Sequence, residues 1–476
     1  MTIKTLRKAA LATAICSVCG GTFSSGALAA GFALQESSTS GLGRAFAAEN
    51  AIGDNAAILA RNPAGSALFN EMAFSVGVTY VNPEIDAAGD TTYFLPNPQD
   101  PTGAPLTFSV YDEAEDYATS AWVPNAYFVL PVDDCWSFGL AMNTDYGLET
   151  DFDNDWPVTH IANKTELLSV NIAPSVAFDW NDQFSIGVSA NFLYADATLK
   201  SSVPEDLILD PILGTNLSGT SILDAEGDDW DYGWSIGALW RSVDGRTHIG
   251  VSYQSELDPE IDADVDSELL PAFDNAGNII GTFSNERANL TLDLPDTFEL
   301  GIYHRFHDEW GVAFGAMWTD WDDFERLEAF FPDQRVGGEA FSTYNPLLIK
   351  EENFSSGWRY SLGLEYYPCD EVTWRVGYAY DEGAARDGLF EEETLATGFD
   401  VTWRTLSIPD ADRQWVTFGG TYKLNNQLSI DGGLAYLWGD DETIQEFTDV
   451  PVPTYFNGGT TNLEAWLVGA SLNYSF

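Results

Sequence analysis

The chain reads as an all-β protein: a transmembrane antiparallel β-barrel of about fourteen strands, with an N-terminal hatch plugging its lumen. Three observations carry that reading. Segments of alternating, aromatic-rich sequence recur after residue 72, and the connections between them alternate between short and long. In front of them stands residues 41–64, GLGRAFAAENAIGDNAAILARNPA, rich in Ala and Gly and without strand-like alternation.

The bulk numbers leave room for this. A chain of 476 residues could hold several soluble domains or one large barrel. Aromatic residues make up 14% and there are 42 glycines, while a mean hydropathy of -0.13 is too polar for a bundle of membrane helices. After residue 30 no apolar run approaches the ~18 residues of a spanning helix. Only strands remain as a way across lipid, because closed barrels and helices alone satisfy their backbone there.

The N-terminus reads as a cleaved secretory signal, residues 1–29. Lys4, Arg7 and Lys8 form its basic region, Ala9 to Val18 its apolar core, and Ala27, Leu28 and Ala29 the small-residue site. The mature chain is expected to begin at Ala30, with a hatch over 30–72 and the barrel over 73–476. Cys16 and Cys19 leave with the signal, so their spacing carries no metal or redox meaning; Cys135 and Cys369 fall in two separate predicted turns.

Strands are expected near 73–81, 122–131, 136–148, 166–180, 184–198, 230–241, 247–257, 291–306, 309–324, 355–367, 371–381, 412–423, 427–438 and 463–476. Tight connections such as Asn181-Asp182-Gln183, His307-Asp308 and Pro368-Cys369-Asp370 take turns with long ones at 82–121, 149–165, 199–229, 258–290, 325–354, 382–411 and 439–462. Short periplasmic turns and long external loops are the rule in outer-membrane barrels. In the last strand Trp466, Val468, Ala470, Leu472, Tyr474 and Phe476 form one face, expected to meet lipid, and Gly469, Ser471, Asn473 and Ser475 the lumenal one.

Several pieces of the chain, in this order, resemble the FadL family of outer-membrane long-chain fatty acid and hydrocarbon transporters. They are Gly31-Phe32-Ala33-Leu34-Gln35-Glu36, Ser40-Gly41-Leu42-Gly43-Arg44-Ala45-Phe46, Arg61-Asn62-Pro63-Ala64, Ala121-Trp122-Val123-Pro124-Asn125, Asp145-Tyr146-Gly147-Leu148, Trp230-Asp231-Tyr232-Gly233-Trp234, Ser407-Ile408-Pro409-Asp410-Ala411-Asp412-Arg413 and the ending Asn473-Tyr474-Ser475-Phe476. The resemblance implies a Gram-negative outer membrane and a fourteen-stranded barrel closed by a hatch. It also implies capture of a long-chain fatty acid or hydrocarbon in an external groove, then lateral release through a gap in the wall. Gly41, Gly43, Arg44, Asn62, Pro63 and Ala64 would belong to the hatch, and Phe32, Leu34 and Phe46 to the ligand's surroundings. Partners would be the ligand, outer-membrane lipid and lipopolysaccharide, with the barrel a monomer.

The residues suggest where the gap lies. With a turn centred between Asp133 and Asp134, Pro124 falls opposite Asn143, and proline cannot donate to a ladder. The wall should be weak beside Asn143, Asp145, Tyr146 and Gly147, with Gly139 among the small inward residues and Tyr146 facing lipid. A carboxylate ligand would want a cation in the lumen: Lys200, Arg326 and Lys350 are candidates, with Arg44 and Arg359. Arg44 has a structural alternative, pairing with Glu36, Glu49 or Asp54.

With 74 acidic against 20 basic residues the formal charge is -54, and loss of the signal makes it more negative by three. That excludes nucleic-acid binding through a basic face and reads as solubility in a saline, marine or halophilic setting, with divalent-cation binding at the cell surface as the alternative. It also repels an anionic fatty acid but not an alkane or small aromatic, which keeps neutral-hydrocarbon uptake as the alternative. Asp151 to Asp155 resembles a calcium loop, but Trp156 and Ala162 stand where an EF-hand needs Gly and Glu; no metal or cofactor is expected. Four histidines, His160, His248, His304 and His307, offer no catalytic arrangement, so no enzyme is expected. A general porin fits poorly with an apolar segment available to fill the lumen.

Overall fold

The computed structural model describes residues 31–97, 105–205, 216–273, 279–330, 348–392 and 399–476; the signal segment and Ala30 lie outside them. Fourteen strands build the wall, numbered here in chain order: β1 Ala73–Leu95, β2 Ala121–Pro131, β3 Trp136–Asn143, β4 Lys164–Asn181, β5 Phe184–Ser202, β6 Ser221–Arg241, β7 Thr247–Gln254, β8 Asp296–His307, β9 Trp310–Asp320, β10 Gly357–Cys369, β11 Val372–Asp381, β12 Arg413–Lys423, β13 Leu428–Gly439 and β14 Thr454–Ser475. Each pairs antiparallel with the next, and β14 returns to β1 from Ala73↔Ser475 to Tyr93↔Thr454. The closed sheet leaves no edge unpaired in lipid. Facing follows the alternation: Trp466, Val468 and Leu472 are exposed while Gly469 and Asn473 are buried. Cys135 and Cys369 are free, exposed thiols.

Two features differ from the sequence reading. Much of the expected external loop is paired strand. β1 continues to Leu95 against Leu106–Ala114, and β5 and β6 stay paired out to Ser202↔Ser221. Glu260–Asp266 pairs with Glu286–Thr291, and Glu442–Thr448 with the start of β14. Beyond the membrane the outer face meets water, so lipid-facing aromatics stop; the buried inner face still requires paired backbone. The wall thus rises above the membrane as a sleeve. The second difference is that the strand expected over 136–148 is broken into Trp136–Asn143 and Gly147–Asp151.

Residues 31–72 lie against the inside of the wall. Their regular structure is slight: α1, Thr39–Leu42, and two 3-10 turns, Ala56–Ala60 and Pro63–Leu68. Each starts on a side-chain cap, with Ser38, Asn55 and Asn62 accepting from the N–H groups of Gly41, Ala57 and Ala64. Helices this short have no stability of their own; the wall supplies it. Every strand from β5 to β14 turns one glycine towards this segment: Gly187, Gly237, Gly250, Gly301, Gly315, Gly363, Gly377, Gly419, Gly433 and Gly469. A methyl group on Gly363 would sit 2.9 Å from Arg44 Cβ, and one on Gly433 3.0 Å from the carbonyl oxygen of Thr39. Followed from β5 to β14, the facing residues run from Ala64 through Asn62, Asn50, Ala48, Arg44 and Gly43 to Thr39. The segment therefore winds around the wall, backbone against backbone, which explains its Ala and Gly content.

Candidate functional site

The ladder between β2 and β3 stops at Ala126↔Met142, and the next pair on that side is Ala118↔Thr150. Between them Ala121 to Asn125 keep their ladder partners on β1 and have none on β3. Against β4, Asn143 pairs with Asn171 and Gly147 with Leu168, so three residues, 144–146, stand opposite two. This is a bulge. Ser169 satisfies it by accepting from Tyr146 N–H at 3.0 Å and donating to Tyr146 O at 2.7 Å.

On its other side the bulge pairs with the N-terminal segment instead of β2. Leu34 N–H donates to Asp145 O at 2.7 Å and Gly147 N–H to Phe32 O at 2.9 Å, with Ala33↔Tyr146 as an isolated bridge. Asp145 also accepts from Asn143 Nδ2, and from Asn171 Nδ2 at 2.6 Å. The interruption thus runs through Asn143, Asp145, Tyr146 and Gly147.

Three details of the expected geometry need correction. The β2–β3 register places Pro124 level with Thr144 rather than Asn143, because the turn has an odd length: Asp133 Oδ1 accepts from both Cys135 and Trp136 N–H at 2.9 Å. Tyr146 is buried rather than lipid-facing, since the bulge carries it inward against Phe32, 6.3 Å between rings. Gly139 lies away from the interruption, paired with Val129 and Ser175 and facing Leu59 of the hatch.

Above the N-terminal segment lies a cavity of about 240 Å³. Phe32 lines it, with Leu148 and Leu167 from the bulge side and Leu199, Leu223, Ile261, Val265, Leu290, Leu292 and Ile408 from the sleeve. Phe32 is itself held edge-on by Trp321 at 4.7 Å and Phe324 at 5.3 Å. Lys200 and Lys350 line the cavity, but both are paired. Lys200 Nζ is 3.1 Å from Asp224, and Lys350 Nζ is 3.8 Å from Glu446 and donates to Ser407 Oγ. His160 also lines it, and burial holds its imidazole down at about 3, hence neutral.

Arg326 is not in this cavity. It is exposed on the outer face of its strand, level with Glu351, while the next residue, Leu327, points in. Leu34 and Phe46 are buried in a different cluster, with Leu42 and Trp415.

The hatch is tied to the wall by charge as well as by shape. Arg44 reaches Glu49 at 2.6 Å, Asp54 at 2.5 Å and Glu365 of β10 at 3.3 Å; Arg375 of β11 reaches Glu365 at 2.9 Å and Asp54 at 3.1 Å. Burial would raise the Asp54 carboxyl, but Arg375 and Arg44 hold it down at about 2. Glu36 has no part in this network. Gly41 is small because Glu49 and Ser38 pack where its side chain would be, and Gly43 because a methyl there would lie 2.9 Å from Gly419 Cα. Asn62 bonds the carbonyls of Asn50 at 2.8 Å and Ala238 at 3.2 Å, while Pro63 and Ala64 rest on Gly237 and Gly187.

Residues 20–476 match the family model described as outer membrane protein transport protein (OMPP1/FadL/TodX). The chain is similar to the long-chain fatty acid transport protein of Escherichia coli O6:H1, 31% identical over 497 residues, covering 100% of each chain. Among solved structures it is similar to a Pseudomonas aeruginosa FadL homologue, with a TM-score of 0.75 at 21% identity, covering 94% of this chain and 100% of the other. A lesser likeness is to the Ralstonia pickettii toluene transporter TbuX, with a TM-score of 0.54 at 17% identity, covering 88% and 94%. At such identities these structures speak to the fold alone.

Proposed function

We propose, from the premise that this chain belongs to the OMPP1/FadL/TodX family of outer membrane transport proteins, that it takes up long-chain fatty acids or similarly hydrophobic molecules and releases them sideways through the wall. The observation that carries this reading is the interrupted ladder, whose missing partner is the same N-terminal segment that floors the apolar cavity. A molecule leaving the cavity past Phe32 needs only that segment to part from residues 145–147, not the whole hatch to leave. The curated relative in Escherichia coli bears the name of a long-chain fatty acid transport protein, and the cavity's leucine lining suits an acyl chain, each buried methylene contributing roughly 0.8 kcal/mol.

A second reading, uptake of neutral hydrocarbons, is favoured by one observation: both ammonium groups in the cavity already have acidic partners. The name of TbuX, a toluene transporter, points the same way for that protein.

Removal of Thr144 is the test. It turns three residues opposite two into two opposite two, so that β3 could pair without a break. The expected outcome is a barrel that still binds a long-chain ligand in detergent but no longer supports its uptake by cells. Uptake at the unaltered rate would refute lateral release here.

A further inference from the structure

We infer that Arg61 and Arg359 form a carboxylate-binding site at the seam between hatch and wall, separate from the two lysines of the apolar cavity. The inference rests on the fatty-acid reading above.

Arg359 stands on β10 between the outward Trp358 and Tyr360, so its side chain enters the lumen, where it is 5% exposed. None of its three guanidinium nitrogens has a hydrogen-bond partner among the described residues. Asp381 is level with it on β11, yet the two form no ion pair. The guanidinium is held by rings instead, 4.9 Å from the centre of Trp415 and 5.9 Å from that of Phe46. Phe46 takes a left-handed φ of 59° to reach this place, a strain that the surrounding packing must sustain.

The side chain lines a small pocket with Arg61, Gln35, Glu299, Phe46 and Met317. Arg61 bonds Gln35 O at 3.2 Å and Oε1 at 2.8 Å, and approaches Ser37 Oγ and Met317 Sδ at 3.4 Å; among the described residues it too lacks an ion pair. Two guanidinium groups thus face one lining carboxylate. Arg61 is half-buried; apart from Arg359, the buried arginines among the described residues, Arg44, Arg375 and Arg413, are all paired with acids.

A desolvated guanidinium without an acceptor is costly, and its fork of donors matches a carboxylate in two bonds at once. An alkane or an ester offers no such charge. The free volume is about 10 Å³, room for one oxygen-sized group; Met317, with its three rotatable bonds, is the wall that yields to a second. The acyl tail stays in the apolar cavity. Phe32 lines that cavity and Gln35 this pocket, so roughly 10 Å of extended chain separates the two.

The test compares initial uptake of palmitate with that of hexadecane in cells that make the full chain and have no other importer, at matched amounts of folded barrel. Arg359→Gln should lower the acid-to-alkane ratio about tenfold, the loss of one charge-assisted contact, and Arg359→Lys should recover part of it. Should Arg359→Gln not assemble, Arg61→Gln reads the same ratio. In the purified protein, carboxyl-labelled palmitate should show a carbon resonance that Arg359→Gln shifts. A ratio unmoved by both glutamine variants, or uptake of both compounds falling together, overturns the site. Wild-type protein that takes up neither compound refutes the proposed function itself.

Discussion

Glu352 lies wholly buried beside the cavity's Lys350, with Oε2 accepting from Thr405 Oγ1 at 3.4 Å and Oε1 without a partner among the described residues. Burial raises this carboxyl and Lys350 only partly offsets that, leaving it at about 8 against an ordinary 4.5. Because the folded value lies above the unfolded one, its favourable contribution is complete below 4.5 and fades as pH rises through about 8. Asp54 has the opposite sign: held at about 2, it contributes above its ordinary 3.8 and is lost only in strong acid. Resistance of the sleeve to proteolysis should therefore weaken between about pH 5 and pH 8, and Glu352→Gln should remove that dependence. A slope that persists in the variant would mean another group is responsible. Neither carboxylate stands out in the sequence, since the shift is made by residues far along the chain: by the packing that buries Glu352 for one, and by the guanidinium of Arg375 beside Asp54 for the other.

At the scale of elements, the glycines of β5 to β14 hold the hatch by having no side chain. Gly377→Leu would thrust a butyl group into the backbone of Arg44, whereas Gly432, on the outer face, meets nothing within 4 Å. The first should dislodge the hatch and raise ion conductance across planar bilayers severalfold, overpacking of this kind costing roughly 1–3 kcal/mol or more. Gly432→Leu should leave the barrel closed, and equal conductance in the two would show that the glycines do not seat the hatch. All fourteen wall strands were legible because lipid on one side enforces alternation, as from Trp466 to Leu472. The β2–β3 register was not, since the extra residue in its turn depends on Asp133 capping two N–H groups. Nor was the cavity wall, although its signal is present: Ile261, Ala263 and Val265 alternate strictly with Asp262, Asp264 and Asp266, and the acids draw attention from the apolar face behind them. Lys200 and Lys350 line the cavity, while Arg326, as near in sequence to Leu327 as a residue can be, lies on the wrong face of its strand.

At the scale of the molecule, an outer-membrane transport protein of a Gram-negative cell carries its excess of acid largely on the sleeve that a ligand meets first. Capture of a fatty acid should speed up as salt shortens the Debye length from about 10 Å at 0.1 M to about 3 Å at 1 M, while capture of the matching alcohol should not change. Stopped-flow binding at the two salt concentrations separates these, and an acid rate indifferent to salt would remove the electrostatic barrier. The Glu260–Asp266 strand shows what that arrangement entails over evolutionary time. Odd positions line the cavity and even positions face outward, so exchanges among the outward acids leave the cavity's lining as it is. An inserted or deleted residue has no such freedom, for it would exchange the two faces at a stroke, turning the apolar side chains outward and the carboxylates into the cavity.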